Sequence, residues 1–136
     1  MTMTRVAVFV FASLICLAGT AQAHHSFAAQ YDADRPATLK GVVTKVEWMN
    51  PHTRFYIDVE DDQGNVVNWN LELASPNILT RRGWSRNSLQ VGDVVSVDAS
   101  LAKDGSNMAN AMSVILADGS RVFSVSPDTG APPVRE

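Results

Sequence analysis

Histidine is the residue type whose positions in this chain point most directly to chemistry. The sequence contains three histidines, His24, His25 and His52. Cleavage after Ala23 would place His24 at a new amino terminus, where its α-amine and imidazole together form a chelate. His52 would add another nitrogen, and a tetragonal set of nitrogen donors favours Cu(II). We therefore predict copper binding by His24 and His52, with His25 as a further ligand.

The segment before His24 has the three parts of a secretory signal. Arg5 supplies the positive charge, residues 6–17 are almost wholly apolar, and Ala21-Gln22-Ala23 forms a small-residue cleavage site. The apolar run is shorter than the roughly 20 residues of a membrane-spanning helix. We expect residues 1–23 to be a signal peptide, the mature protein to be periplasmic or secreted, and no membrane insertion after cleavage.

Other interpretations of these histidines stay open at this point. A cut after Ala21 would leave His24 third in the mature chain, which is another type of copper-chelating terminus. Without a metal, His24 and His25 would be a solvated chain start, and His52 would bond to backbone groups in a turn.

A second group of residues favours a different function, an adaptor that binds an envelope glycan or a protein without metal. Arginine and aromatic side chains placed together can hold an anion or a sugar ring. The candidate ligand-binding residues are Trp48, Asn50, Arg81, Arg82 and Trp84. The opposing interpretation is that the two arginines only stabilise the end of a helix.

Charge and composition narrow the remaining function classes. Loss of Arg5 takes the formal net charge from -3 to -4, and this weak acidity predicts that nucleic acid is not a partner, because phosphate binding depends on Lys and Arg. We expect a metal ion or a small envelope ligand instead, with a protein as a further partner. Cys16 is the single cysteine and leaves with the leader, so no disulfide stabilises the mature chain.

Catalysis finds little support in the sequence. The chain has no Gly-x-Ser-x-Gly nucleophile motif. No acidic pair stands out for hydrolysis, and Glu72 is interpreted as a lone carboxylate without a partner. The residues therefore favour a binding protein over an enzyme.

These residues must be positioned by a β-rich domain. Apolar and polar residues mostly alternate along the chain, which is typical of β-strands. Ser75-Pro76 marks the start of a helix between the third and fourth predicted strands. This order predicts an all-β, mainly antiparallel, five- or six-stranded OB-fold-like barrel with one short helix between strands 3 and 4. An open antiparallel sandwich is the alternative. We expect this domain over residues 37–125, after an irregular segment over 24–36 and before a disordered tail over 126–136. The predicted strands cover residues 39–48, 54–59, 66–73, 94–101, 108–116 and 121–125.

Four short motifs connect this chain to known sequences. They are His24-His25-Ser26-Phe27, Trp48-Met49-Asn50-Pro51-His52, Asn68-Trp69 and the run from Ser75 to Trp84. With them the mature chain resembles an uncharacterised family of small secreted bacterial proteins. The resemblance supports export and the fold, and it implies no activity.

Overall fold

The computed structural model describes residues 26–123, a sheet of six strands with two short helices. The predicted signal peptide and the predicted disordered tail lie outside the described residues, as do His24 and His25. No helix within residues 26–123 is long and apolar enough to cross a membrane. The elements are α1 (Ser26–Gln30), β1 (Tyr31–Glu47), β2 (Arg54–Glu60), β3 (Val66–Glu72), α2 (Pro76–Arg81), β4 (Val94–Ala102), β5 (Met108–Leu116) and β6 (Arg121–Phe123).

Five of the strands form a closed ring, which confirms the predicted OB-fold-like barrel. β1 pairs antiparallel with both β2 and β4. β2 continues into a hairpin with β3, and β4 into a hairpin with β5. A short parallel pairing of β3 with β5 closes the ring. β6 adds a sixth strand to the outer edge of β5.

The long strand β1 serves both halves of the barrel because it changes partner near its middle. Val42 pairs with Asp58 on β2 and with Val94 on β4. Gly41 lies at this crossing, and a Cβ atom there would be 2.2 Å from the carbonyl oxygen of Asp58. A register shift follows between Val43 and Lys45. A glycine within a strand is typical of such a bend or bulge.

β1 begins earlier than its sequence pattern predicts. The expected start was residue 39, after an irregular segment, whereas the structure has a helical turn over Ser26–Gln30 and a strand from Tyr31. Residues 33–36 of this strand are exposed, so they carry little of the apolar alternation that identifies a strand. Pairing with β4, which includes Tyr31 opposite Ala102, supplies the backbone hydrogen bonds instead.

The barrel interior is an aliphatic and aromatic core that all five ring strands share. Phe55, Ile57, Leu71, Val97 and Val114 are completely buried. Each fully buried side chain of this size contributes about 1.5–3 kcal/mol. The helix α2 closes one side of the core with Leu79, and its Ser75 cap accepts a hydrogen bond from the Ile78 amide, as predicted. The core therefore carries the stability that no disulfide can supply.

Candidate functional site

The loop between β1 and β2 borders a cavity of about 350 Å³. The chain bends at Asn50 and Pro51, and the peptide bond between them is cis. After the bend, the Thr53 amide donates to the Ala74 carbonyl, and the Thr53 carbonyl accepts from the Leu73 amide. The loop is thus fixed to the segment after β3. The residues around the cavity are Gln30, Glu47, Met49, Asn50, Pro51, His52, Arg54 and Glu72.

A buried carboxylate lies at the base of this cavity. Glu72 ends β3, and its side chain is only 7 % exposed. His52 Nδ1 is 2.6 Å from Glu72 Oε1. The Tyr31 hydroxyl donates to Oε2 over 3.1 Å, and Arg54 Nη2 forms a short ion pair with the same oxygen. The interpretation of Glu72 as a lone carboxylate is therefore wrong.

This arrangement solves the problem of burying a negative charge. An isolated buried carboxylate is strongly disfavoured, whereas one with an ion pair and hydrogen bonds is tolerated. Arg54 lies directly opposite Glu72 in the hairpin register, and its Nη1 also donates to Asn70 Oδ1 over 3.3 Å. The guanidinium is therefore held in place from both sides.

Tyr31 is the most deeply buried of the Glu72 partners, at 1 % exposure. Burial and, next, the negative charge of Glu72 raise the pKa of the Tyr31 phenol well above its ordinary value of 10.0. The phenol therefore stays protonated and continues to donate its hydrogen to the carboxylate.

Glu72 also determines which nitrogen of His52 is open to a ligand. A carboxylate can only accept hydrogen bonds, so the hydrogen of a neutral imidazole must lie on Nδ1, and Nε2 then carries the lone pair. The His52 side chain is 31 % exposed. Nε2 is thus a preoriented donor atom for a metal, or an acceptor for a polar ligand, at the edge of the cavity.

The second carboxylate of the cavity is also engaged. Lys45 Nζ is 2.6 Å from Glu47 Oε1, and the Tyr56 hydroxyl donates to Glu47 Oε2 over 3.1 Å. The Lys45 ammonium and then the Tyr56 hydroxyl lower the pKa of Glu47, and Glu47 raises the pKa of Lys45. Glu47 is therefore an ionised group that is already paired.

The helix α1 is held against the same end of the barrel. Lys103, in the turn after β4, donates from its backbone amide to the Gln30 carbonyl and from Nζ to the Ala28 carbonyl, over 2.9 and 2.6 Å. The rings of Phe27 and Tyr31 also lie 5.7 Å apart. These contacts place Gln30 beside the cavity and so bring the start of the described chain to this site.

The sequence matches the family of unknown function DUF6152 over residues 11–111. The chain belongs to this family. The match agrees with the expected membership of an uncharacterised family. No curated protein is detectably similar to the chain.

A solved structure with a similar fold is the mitochondrial single-stranded DNA binding protein Rim1 from S. cerevisiae. The similarity covers 64% of this chain and 95% of Rim1, with 13% sequence identity and a TM-score of 0.47. The comparison contradicts the prediction that nucleic acid is not a partner, since Rim1 is a single-stranded DNA binding protein. A similarity this low carries no argument that the present chain binds DNA.

The cavity unites only some of the residues singled out in the sequence. Asn50 and His52 both line it. Trp48 is partly buried and packs against the core instead. Within residues 26–123, no three His, Cys, Asp or Glu side chains are grouped so that they could hold a metal. The ligands predicted at His24 and His25 lie outside this range.

The predicted surface of two arginines and a tryptophan is not present as expected. Arg81 and Arg82 are exposed at the end of α2, whereas Trp84 is buried to 3 % exposure. The Trp84 amide donates to the Leu79 carbonyl, and this turn directs the ring into the core. The aromatic member of the proposed glycan-binding surface is therefore not accessible.

Sequence reasoning missed the partners that organise His52. The order of the predicted strands contained part of the signal. When the strands on either side of the 61–65 turn pair as a hairpin, Glu60 lies opposite Val66, and Arg54 then lies opposite Glu72. Tyr31 carried no comparable signal, because it reaches Glu72 only through the pairing of β1 with β4.

Proposed function

We propose that this chain is an exported binding protein that captures Cu(II) at the cavity beside the β1–β2 loop. In this proposal the leader is removed after Ala23, in the periplasm or on secretion. His24 then supplies its α-amine and imidazole, and His52 supplies Nε2. His25 is available as a further imidazole ligand.

The observation that supports the proposal is the contact of His52 Nδ1 with the buried Glu72 carboxylate. Histidine ligands of metals almost always donate their second ring hydrogen to a carboxylate, a carbonyl or water, which orients the ring and makes it more basic. Glu72 is itself held by Arg54 and Tyr31. Such a rigid support has little purpose for a histidine that merely caps a turn.

The covalent length of the amino-terminal segment also keeps His24 near the cavity. Gln30 lines the cavity, and α1 covers Ser26–Gln30. Four helical steps span about 6 Å, and the two residues from Ser26 back to His24 extend at most about 7 Å. The α-amine of His24 therefore stays within about 13 Å of Gln30, which borders the cavity.

The donor set determines the choice of metal. An amine and two imidazoles are nitrogen ligands of intermediate softness, and the Irving–Williams order places Cu(II) above the other divalent metals of the first row. The carboxylates of the cavity, Glu47 and Glu72, are both occupied by cationic partners. Mg²⁺ and Ca²⁺, which need oxygen ligands, are therefore disfavoured.

The decisive experiment is a Cu(II) competition titration of the exported, processed protein. Its amino terminus is first determined by mass spectrometry. Wild type is compared with His52→Ala, with His24→Ala, and with a chain that carries one added glycine before His24. Each change should weaken Cu(II) binding, and the added glycine should do so without altering any side chain.

Two results would overturn the proposal. One is a double variant His24→Ala, His52→Ala that binds Cu(II) as tightly as wild type. The other is a processed protein that starts at a residue other than His24. Circular dichroism of every variant shows whether the barrel is intact.

A further inference from the structure

We infer that the same cavity also binds Cu(I), through the Met49 thioether and His52 Nε2. This inference rests on the proposed role of His52 as a copper ligand. It adds a ligand and an oxidation state that the amino-terminal chelate does not require. It also uses only residues that the structure describes.

Met49 and His52 flank one bend of the chain. The bend is at Asn50 and Pro51, and both flanking residues line the cavity. Met49 is 55 % exposed, so its side chain is not buried in the core. A methionine side chain has three rotatable bonds and can adapt its position. The thioether can therefore approach an ion that is bound at His52.

The chemistry of the donors that remain at the cavity favours a soft ion. Thioether sulfur selects Cu(I), and imidazole suits copper in either state. Among the described residues around the cavity, Glu47 and Glu72 are engaged by Lys45, Arg54, Tyr56, His52 and Tyr31. The carboxylate oxygens are thus committed to other partners. The side-chain amides of Gln30 and Asn50 still offer hard oxygen. Met49 and His52 offer sulfur and imidazole nitrogen, the pair that suits Cu(I).

The two copper states should depend on different residues. Cu(II) draws on the amine and imidazole nitrogens, so loss of the Met49 sulfur should affect it little. Cu(I) prefers the soft sulfur, so loss of Met49 should weaken its binding. His52 is common to both states. This difference separates a thioether ligand from a residue that only shapes the loop.

The test is an anaerobic titration with a Cu(I)–acetonitrile salt against a chromophoric Cu(I) chelator. All proteins carry Cys16→Ser, so that no thiol competes in any form of the chain. Met49→Leu removes the sulfur and keeps the size and apolar character. Met112→Leu is the matched control, since Met112 is also exposed, at 36 %, but lies on β5.

We expect Met49→Leu to weaken Cu(I) binding by at least about tenfold, the lower end of the loss found when an outer partner of a metal ligand is changed, and to leave Cu(II) binding within about twofold. Met112→Leu should match wild type for both ions. Equal Cu(I) affinity of Met49→Leu and wild type, or equal loss in both methionine variants, would overturn the inference. Failure of the proposed function is a separate result, because it appears as unchanged Cu(II) binding in the double variant His24→Ala, His52→Ala.

Discussion

The two oxygens of the Glu72 carboxylate serve three partners. Oε1 is 2.6 Å from His52 Nδ1, and Oε2 is shared by Tyr31 and Arg54. Arg54 balances the negative charge, Tyr31 supplies a hydrogen that stays in place, and His52 is oriented as a result. The residue with no expected role is thus the one that organises the candidate site.

The first prediction at this scale concerns the charge of Glu72. Glu72→Gln should lower the Cu(II) affinity by about 10–100-fold, the range found when the outer partner of a metal-binding histidine is changed. The imidazole ¹⁵N chemical shifts of His52 should show a smaller preference for hydrogen on Nδ1. Competition titration and NMR provide the two measurements.

Glu60→Gln is the matched control for this change. Glu60 is the exposed last residue of β2, so its replacement removes the same charge without touching the cavity. Equal Cu(II) affinity in Glu72→Gln, Glu60→Gln and wild type would contradict the role assigned to Glu72.

The second prediction concerns Tyr31 in alkali. Because its pKa is raised in the folded state, the unfolded chain releases the phenolic proton first, at about pH 10. The stabilising contribution of Tyr31 is therefore complete below about pH 10 and is lost as the pH rises further. As the pH rises from about 9 to about 11, the free energy of unfolding should fall less for Tyr31→Phe than for wild type.

Urea unfolding at a series of pH values measures this difference. At neutral pH, Tyr31→Phe should be less stable by about 1.5–3 kcal/mol, because the hydrogen bond to a charged acceptor is absent. Tyr56→Phe serves as the control, since Tyr56 is the other tyrosine of the chain. A fall in stability as steep in Tyr31→Phe as in wild type would refute the interpretation.

At the level of elements, β1 determines where the site lies. One half of this strand pairs with β4 and the other half with β2. Its first residue, Tyr31, thereby reaches the Glu72 carboxylate, and its last, Glu47, borders the cavity. The site therefore depends on the bend that lets a single strand serve both halves of the barrel.

The prediction for this element is a large effect of one methyl group at the bend. In Gly41→Ala the new Cβ would lie 2.2 Å from the Asp58 carbonyl oxygen, so β1 and β2 must separate. We expect a loss of about 3 kcal/mol, the upper part of the usual range for overpacking, measured by urea unfolding.

Gly92→Ala is a suitable comparison. Gly92 has a φ of +95°, and a Cβ atom at this position would meet nothing within 4 Å, so only the left-handed backbone conformation is penalised, by about 1–2 kcal/mol. If Gly41→Ala is no more destabilising than Gly92→Ala, the close approach of β1 to β2 is not a constraint on the fold.

At the scale of the whole molecule, the barrel joins the amino-terminal helix, the β1–β2 loop and the end of β3 at one place. A metal held at this place binds the folded chain more tightly than the unfolded one, in which only the chelate at His24 remains. Cu(II) at about 100 times its dissociation constant should therefore add up to about 2.7 kcal/mol to the free energy of unfolding, the limit for a metal that does not bind the unfolded chain. A thermal melt of the processed protein with and without Cu(II) measures this gain.

Mg²⁺ should produce no gain in the same melt, because the cavity carboxylates are already paired. The His24→Ala, His52→Ala double variant should lose most of the gain from Cu(II). A Cu(II)-dependent gain of equal size in wild type and double variant would show that copper stabilises the protein at another place.

The sequence alone determined the six strands, the helix α2 and their order, but not the helix α1 or the first part of β1. Alternating apolar residues and the Ser75 helix cap are local signals, because each depends on neighbours a few residues away. They were sufficient for the six strands, the helix between strands 3 and 4 and the OB-fold-like barrel. The positions of the three histidines identified His52 as a candidate ligand.

Only the tertiary structure decided what surrounds that histidine. Tyr31 and Glu72 are 41 positions apart, and they meet because β1 bends and the barrel closes. The ring of Trp84 is likewise buried in the core, and this position depends on tertiary packing. Contacts of this kind form when the sheet closes into a barrel. Closure brings together residues that are far apart in the sequence, and no local or periodic pattern indicates which of them will meet.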